Sequence, residues 1–331
     1  MLPPDAPAAI AALPRFTLLD GPSPLHPIER FSAALGGGVE VWIKREDLLP
    51  LAFGGNKLRN LEFLVGAALA DGADTLVTSG RRWSNHCRLT AAAGARAGLD
   101  VHLVLSGPPV DPPGANQRLD DLLGATVHVA ATAERAERAA LVERIVADLR
   151  GAGRRPFVVA VGGTGPVGAA GQVLAGLEAF GQARAAGVEP GSIVLPSATG
   201  GTHAGLLVGS RLAGSTAQVV GIAVAAPSAE LRPTIAGLLT GLEPLAGITA
   251  DPSEIELSDD ERGAAYGTRT READDAAALL ARTEGILVDP VYTAKALAGL
   301  VARAREGRLH GPVVFWHAGG TPALFETLDP A

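Results

Sequence analysis

The chain has 331 residues, 28 Lys and Arg against 35 Asp and Glu, 47% hydrophobic residues and only 19% charged ones, the balance of a soluble globular protein. At roughly 100 to 200 residues per domain, that length holds two domains or one large α/β unit. A net charge of −7 without a basic block argues against nucleic acid and anionic membrane as main partners, and a single cysteine, Cys87, excludes an intrachain disulfide and an all-cysteine metal site.

The first twenty residues lack a basic start and a long apolar run, and Pro3, Pro4, Pro7 and Pro14 interrupt them, so no secretory signal is expected. Apolar runs such as 75–79 and 193–195 are far shorter than the roughly 18 to 20 residues of a membrane helix. A cytoplasmic location is the expectation. Short β-branched runs then alternate with longer Ala/Leu-rich segments at helical spacing, which predicts parallel strands joined by crossover helices. Strand 39–43 is followed by helix 56–69, strand 75–78, helix 84–97, strand 101–105, helix 115–123, strand 126–129 and helix 133–149. The segment GAGRRP at 151–156 breaks both periodicities and reads as a boundary with solvated arginines. Strand 157–161, a helix from 167 to 186, strand 193–195, helix 201–212 and strand 219–224 resume the alternation, and a mostly helical last third closes with strand 313–316. The fold class is α/β, doubly wound, in two lobes. The scarcity of aromatics, at 4%, predicts an interior of small aliphatic side chains.

Ligands of such sheets bind beyond the carboxyl ends of strands, so the loops that follow strands carry the functional candidates. In FGGNKLR, Lys57 stands in the first turn of a predicted helix. There the helix dipole and desolvation both lower its pKa toward a neutral amine able to form a Schiff base, while a solvated lysine opening an ordinary helix is the plainer alternative. The turn Ser197-Ala198-Thr199-Gly200-Gly201-Thr202 follows a strand and opens a helix, offering N–H donors, hydroxyls and a favourable dipole to a phosphate. It matches neither the dinucleotide nor the nucleoside-triphosphate glycine pattern, and a tight helix–sheet turn is the alternative. Gly162-Gly163-Thr164-Gly165 is a weaker cup of the same kind, and Gly36-Gly37-Gly38 a flexible turn. In the segment from Ser79 to His86, Ser84 suits a helix cap, while Ser84, Asn85 and the first-turn N–H groups suit a carboxylate or a ring hydroxyl. No nearby acid orients His86, no HExxH is present, and no metal is expected; Cys87 reads as a buried small residue. Asp289-Pro290-Val291-Tyr292-Thr293 and His317-Ala318-Gly319-Gly320-Thr321-Pro322 read alone as caps and turns.

Taken in order, Pro24-Leu25 with Lys44-Arg45-Glu46-Asp47, FGGNKLRNLEFL, SNHCRLTAAA, SATGGTHAGL, TEGILVDPVYTAKAL and HAGGTPALF resemble the D-cysteine desulfhydrase and 1-aminocyclopropane-1-carboxylate (ACC) deaminase family of pyridoxal phosphate enzymes, from about residue 17 to 325. The resemblance implies the tryptophan synthase β-like fold, type II among pyridoxal phosphate enzymes, with open, twisted, mostly parallel sheets. It implies a large cofactor domain of residues 1–49 and 161–331, a small α/β domain of residues 50–160, a homodimer, and a small amino-acid substrate. It makes Lys57 the lysine that bonds the cofactor and shuttles the α-proton, with Thr199, Gly200, Gly201 and Thr202 around the phosphate and Asn85 on the ring oxygen. Ser84, Asn85, His86 and Trp83 fall to the substrate, with Ser84 also assisting proton movement and Tyr292 and Tyr266 near the scissile bond. The cofactor is the electron sink and the protein sets orientation.

Thr293 stands where the deaminase branch has Glu, which points to the desulfhydrase branch, whereas Ala318 stands where the deaminase branch has Leu and the desulfhydrase branch usually has Thr, a departure from both that makes Thr293 the candidate partner of the pyridine nitrogen. Trp83 replaces a usual Gln, Asn60 a usual Lys, and Arg81 and Arg82 precede Trp83, to be read either as solvated or as suited to an anionic β-substituent. The leading expectation is β-elimination from a β-substituted alanine such as D-cysteine. Cyclopropane opening, β-replacement and a catalytically silent cofactor-binding paralogue are the alternatives.

Overall fold

In the computed structural model the structure describes residues 2–107, 110–130, 132, 134–326 and 328. Ala133, where helix 133–149 is expected to start, lies outside the described residues, as do the outer limits 1 and 331 of the expected large domain.

Two sheets organise the chain. The larger has the order β1-β2-β10-β7-β8-β9 and the smaller β5-β4-β3-β6. Strands β1 (Leu25–Pro27), β2 (Val41–Arg45), β7 (Ser192–Ser197), β8 (Gln218–Ala223), β9 (Glu256–Ser258) and β10 (Val313–His317) build the first, and only β1 runs antiparallel to its neighbour. Strands β3 (Thr75–Arg81), β4 (Asp100–Ser106), β5 (Thr126–Ala130) and β6 (Pro156–Val158) build the second, all parallel.

Alternation along each strand sends successive side chains to opposite faces, and helices cover both. Ile193, Leu195, Val219, Val314 and Trp316 pack against α7 (Pro166–Ala185), α8 (Gly201–Leu212) and α9 (Ser228–Ala246). Their neighbours Val41, Ile43, Val194, Val220, Val313 and Phe315 face α2 (Glu29–Leu35), α10 (Arg271–Glu284) and α11 (Thr293–Arg305). In the smaller sheet Leu76, Leu103 and Leu105 meet α3 (Lys57–Ala70) and α4 (Asn85–Ala97), while Val77 and Val104 meet α6 (Arg135–Gly151). Helices α1 (Ala8–Ala11) and α5 (Ala115–Leu122) complete the set. The interior is largely Ala, Val, Leu and Ile, each large aliphatic contributing about 1.5–3 kcal/mol on full burial. Small residues also allow backbone contact: a Cβ on Gly209 of α8 would stand 2.7 Å from the Val173 carbonyl oxygen of α7.

Several expectations are corrected by long-range pairing. The strand expected at 39–43 lies at 41–45, where Val41 to Arg45 pair with Val313 to His317. The strand expected at 157–161 ends at Val158, and Val161–Gly163 forms a 3-10 turn. The GAGRRP segment is no boundary, because Pro156 pairs with Thr75 inside the smaller sheet. Its Arg154 is not simply solvated: it bridges Asp74, at 3.2 Å, and Asp100.

The KRED and FGGNKLR motifs meet in a buried ion cluster. Arg59 pairs with Glu46 at 2.8 Å and with Glu178 at 2.7 Å, and Lys44 pairs with Glu178 at 2.5 Å. Lys44 and Glu46 are fully buried and Arg59 is 5% exposed, so the charges cancel one another rather than reaching water. The cluster ties α3 to β2 and α7, and α3 begins at Lys57.

Candidate active site

The carboxyl ends of both sheets open on one cavity of about 560 Å³. The loops after β3, β6, β7, β8 and β10 all reach its wall, contributing Ser84, Thr164, Thr199, Ala225 and Ala318 among others. This is the crevice position expected for a doubly wound sheet.

Lys57 enters from the first turn of α3. The loop before it is held in a conformation that side chains rarely adopt, with Ala52 at φ 44° and Phe53 at φ 65°. Buried Arg88 on α4 grips it by donating to the carbonyls of Ala52 and Gly54, and Asn56 N–H donates to the Ala318 carbonyl at 2.9 Å. Gln172 on α7 donates to the Asn56 carbonyl at 2.8 Å. The amine itself has no hydrogen-bond partner among the described residues, and desolvation lowers its pKa to about 8. The chain has three lysines. Lys44 is spent on Glu178, and Lys295 donates to the Arg262 carbonyl at 2.6 Å, so Lys57 alone lines the cavity.

Opposite stands the amino end of α8. Gly200 caps it at φ 84°, and a Cβ there would meet Ile235 at 2.7 Å, so only glycine fits the turn. Thr202 accepts from Asn56 Nδ2 at 2.9 Å. The hydroxyls of Thr199 and Thr164 are buried without a partner among the described residues, and Gly162 lies so close that a Cβ on it would be 2.6 Å from Thr199 Oγ1. The two glycine–threonine turns are therefore one cup. Unpaired buried hydroxyls beside a helix amino end fit a phosphate, which supplies the acceptors they lack. Asn60 secures the second turn, donating to the Gly163 carbonyl at 3.1 Å.

The third wall is the amino end of α4. Ser84 caps it, accepting from the Cys87 N–H at 3.3 Å, and Asn85 stands beside it on the cavity. Buried His86 is held neutral, its pKa lowered to about 3 by desolvation and by the charge of Lys57. Thr78 donates its proton to the Val159 carbonyl at 2.7 Å, so its oxygen accepts from His86 Nε2 at 2.9 Å, and Nδ1 is left as a bare acceptor. Cys87 is buried, its thiol pushed up to about 12 by desolvation.

Tyr266 and Tyr292 line the remaining side, their hydroxyls hydrogen-bonded and their rings edge-on at 6.0 Å. Burial raises Tyr266 to about 12 and lifts Tyr292 well above the ordinary tyrosine value, so both are protonated at neutral pH. Fully buried Asp289 sets this corner, accepting from the Tyr292 N–H at 2.7 Å.

Two expected residues lie elsewhere. Thr293 is not on the wall: its hydroxyl donates to Asp289 Oδ2 at 2.5 Å, inside the turn that opens α11. Trp83 stands behind Tyr266 at 5.8 Å between rings, with Arg81 at 5.6 Å and Arg82 at 5.0 Å over its own ring. It supports the wall without lining it, and neither arginine is simply solvated. Local reading missed Asn56 and Arg138, which the cavity includes. Asn56 was legible as the neighbour of Lys57, whereas nothing in its helix marks Arg138.

The family model described as "Pyridoxal-phosphate dependent enzyme" matches residues 16–319. The chain belongs to the pyridoxal-phosphate dependent enzyme family. Among the relatives of this pyridoxal-phosphate dependent enzyme is the D-cysteine desulfhydrase of Yersinia enterocolitica serotype O:8 / biotype 1B (strain NCTC 13174 / 8081), 41% identical over 325 residues covering 96% of each chain. A crystal structure of an ACC deaminase homologue matches with a TM-score of 0.89 and 35% identity, over 96% of this chain and 95% of the other. A crystal structure of a threonine deaminase from T.th., at a TM-score of 0.67 and 22% identity over 90% of this chain and 92% of the other, shares the fold. The expected type II fold and the pyridoxal phosphate cofactor thus hold for this enzyme. No helix among the described residues is long and apolar enough to cross a membrane, and no group of three or more His, Cys, Asp or Glu there is placed to hold a metal.

Proposed function

We propose that the protein is a pyridoxal phosphate dependent lyase that eliminates the β-substituent of a small amino acid, with D-cysteine, giving pyruvate, sulfide and ammonia, as the reference substrate. The observation that carries this reading is the Lys57 amine, near a pKa of about 8, facing both the threonine cup and the amino end of α4 across one cavity. The 41% identity to a D-cysteine desulfhydrase supports the substrate. Threonine at 293, in place of the deaminase branch's Glu, favours it over cyclopropane opening.

When bound, pyridoxal phosphate supplies the electron sink for charge developing at the α-carbon. Lys57 would hold it, and its amine would carry the α-proton, a task suited to an amine that is partly neutral at physiological pH. Thr199, Thr164 and the first N–H groups of α8 hold the phosphate, and Asn85 the ring oxygen. Ser84 and the α4 amino end hold the substrate carboxylate, with neutral His86 beside them adding no competing charge. Tyr292 and Tyr266, both protonated, donate to the departing group. Residues 50–160 form a small domain that closes on residues 1–49 and 161–331 and excludes water. The family likeness further supports a cytoplasmic homodimer; sedimentation of the purified protein checks the dimer, and cell fractionation the location.

The test is the visible spectrum and product analysis of the purified holoenzyme. D-cysteine is expected to perturb the cofactor band and release pyruvate and sulfide in equal amounts, and Lys57→Ala to lose turnover by about 10³-fold or more. Release of 2-oxobutyrate from 1-aminocyclopropane-1-carboxylate would instead identify cyclopropane opening. A new amino acid formed with added thiol would mean β-replacement, and silence toward every amino acid a non-enzyme.

A further inference from the structure

We propose that the cavity accepts an amino acid whose β-substituent is a tetrahedral oxyanion, a sulfonate or a phosphate monoester, bound by Arg138 with Arg81 and Arg135. The proposal rests on the lyase reading above and narrows its substrate class.

Arg138 projects from α6 into the cavity and is only 9% exposed. A guanidinium has five N–H donors, and this one uses a single hydrogen bond, to Ser106 Oγ at 3.0 Å. Other buried arginines here are matched with acceptors. Arg59 has Glu46 and Glu178, Arg303 has Glu256 at 2.6 Å, and Arg88 has the carbonyls of Ala52 and Gly54 with Asn116 Oδ1. Arg138 forms no ion pair with any described carboxylate. Its charged neighbours instead include Arg81 and Arg135, both also on the cavity wall, whose charges work against its own. Three like charges gathered where one is buried carry a desolvation and repulsion cost that an anion at their centre removes.

The position selects the end of the substrate. Arg138 is anchored on Ser106, whose hydroxyl donates to the Gly80 carbonyl at 3.3 Å, and a Cβ on Gly80 would stand 2.7 Å from Ser84 Oγ, which places Arg138 on the α4 side rather than at the α8 amino end. Arg81 stands over the Trp83 ring, its Cζ 5.6 Å from the centroid, which gives that tryptophan a purpose. The one carboxylate on the wall among the described residues, Glu230, adjoins Leu231, which packs 3.6 Å from a Cβ position on Gly200 at the phosphate cup. The arginines thus face the β-substituent, with the carboxylate already provided for at Ser84. Guanidinium forks match the oxygens of sulfonate and phosphate.

The chemistry balances without an added oxidant or reductant. The α-proton passes to Lys57, the Cβ–S or Cβ–O bond breaks with its electron pair leaving on the oxyanion, and water completes the conversion. One cysteate and one water give one pyruvate, one ammonium and one hydrogen sulfite; O-phosphoserine and water give pyruvate, ammonium and hydrogen phosphate.

The experiment assays the holoenzyme for pyruvate with both enantiomers of cysteate and O-phosphoserine, and with D-cysteine and β-chloroalanine as neutral comparators. In parallel, calorimetry compares 3-sulfopropanoate and 3-phosphonopropanoate, which lack the amine and do not react, with butanoate. Turnover of an oxyanion compound is expected, as is tighter binding of its unreactive analogue than of butanoate. Arg138→Gln should lower the ratio of kcat/KM for that compound to kcat/KM for β-chloroalanine by about 10- to 100-fold, chiefly through KM, and weaken the analogue alike. Should Arg138→Gln not fold, Arg81→Gln and Arg135→Gln carry the same readout with a smaller loss. Cysteate against O-phosphoserine tells sulfonate from phosphate. Pyruvate from the neutral compounds only, or a ratio that no variant moves, overturns the proposal and leaves the lyase standing. Pyruvate from none of them removes the lyase reading and the proposal with it.

Discussion

Arg59→Met tests whether the buried ion cluster sets the position of α3 and hence of Lys57. In the native protein Arg59 and Lys44 balance Glu46 and Glu178, and the substitution leaves the set one charge negative. Glu46, fully buried, then keeps only the Ser23 hydroxyl at 2.5 Å, and Glu178 keeps Lys44. Removing one partner of such a set costs about 3–5 kcal/mol, a large share of the roughly 5–15 kcal/mol that holds a domain folded. Urea unfolding at neutral pH, followed by circular dichroism, measures it. The pH dependence adds a sign. Desolvation opposes the Glu178 charge, yet Arg59 and Lys44 outweigh it and hold its pKa below the ordinary carboxylate value. Its pairing therefore stabilises the wild type above that ordinary value and is lost as pH falls through the lowered one, so the gap between wild type and variant should narrow in acid. Adding Glu46→Gln to Arg59→Met should recover part of the loss. A penalty under about 1 kcal/mol, or a gap that does not narrow in acid, would refute the reasoning.

Two further outcomes follow from the site. In cofactor-free protein the rate of pyridoxal phosphate capture should rise with pH to a midpoint near about 8, because only the neutral Lys57 amine attacks an aldehyde; a midpoint above about 10, measured by stopped-flow absorbance, would mean a solvated lysine. Thr199→Val should raise the Kd for pyridoxal phosphate about 10-fold while leaving the melting temperature of the cofactor-free protein unchanged or higher, since the buried hydroxyl it removes has no partner among the described residues.

Much of the site is legible one segment at a time. Lys57 in its glycine-led helix start, Ser84 as a cap and the turn from Thr199 to Thr202 all stand out because strand periodicity and turn chemistry are local. Helix 201–212 is read to the residue for the same reason. Arg138 is not legible, since its own helix offers only alternating charges and its role comes from α6 packing on the smaller sheet. Thr293 and Trp83 show the opposite limit. Their positions in the motifs suggest the wall, but Asp289 takes the hydroxyl of one and Tyr266 covers the other.

The sequence by itself determined the alternation of strands and helices, the glycine turns at strand ends and the lysine that opens α3, because each depends on residues within a few positions of one another. Tertiary structure alone decided that β10 lies between β2 and β7, that Lys44 meets Glu178 across 134 positions, and that two glycine–threonine turns form one cup. Those outcomes follow from which buried faces and charges find partners far along the chain, and no local pattern records that choice.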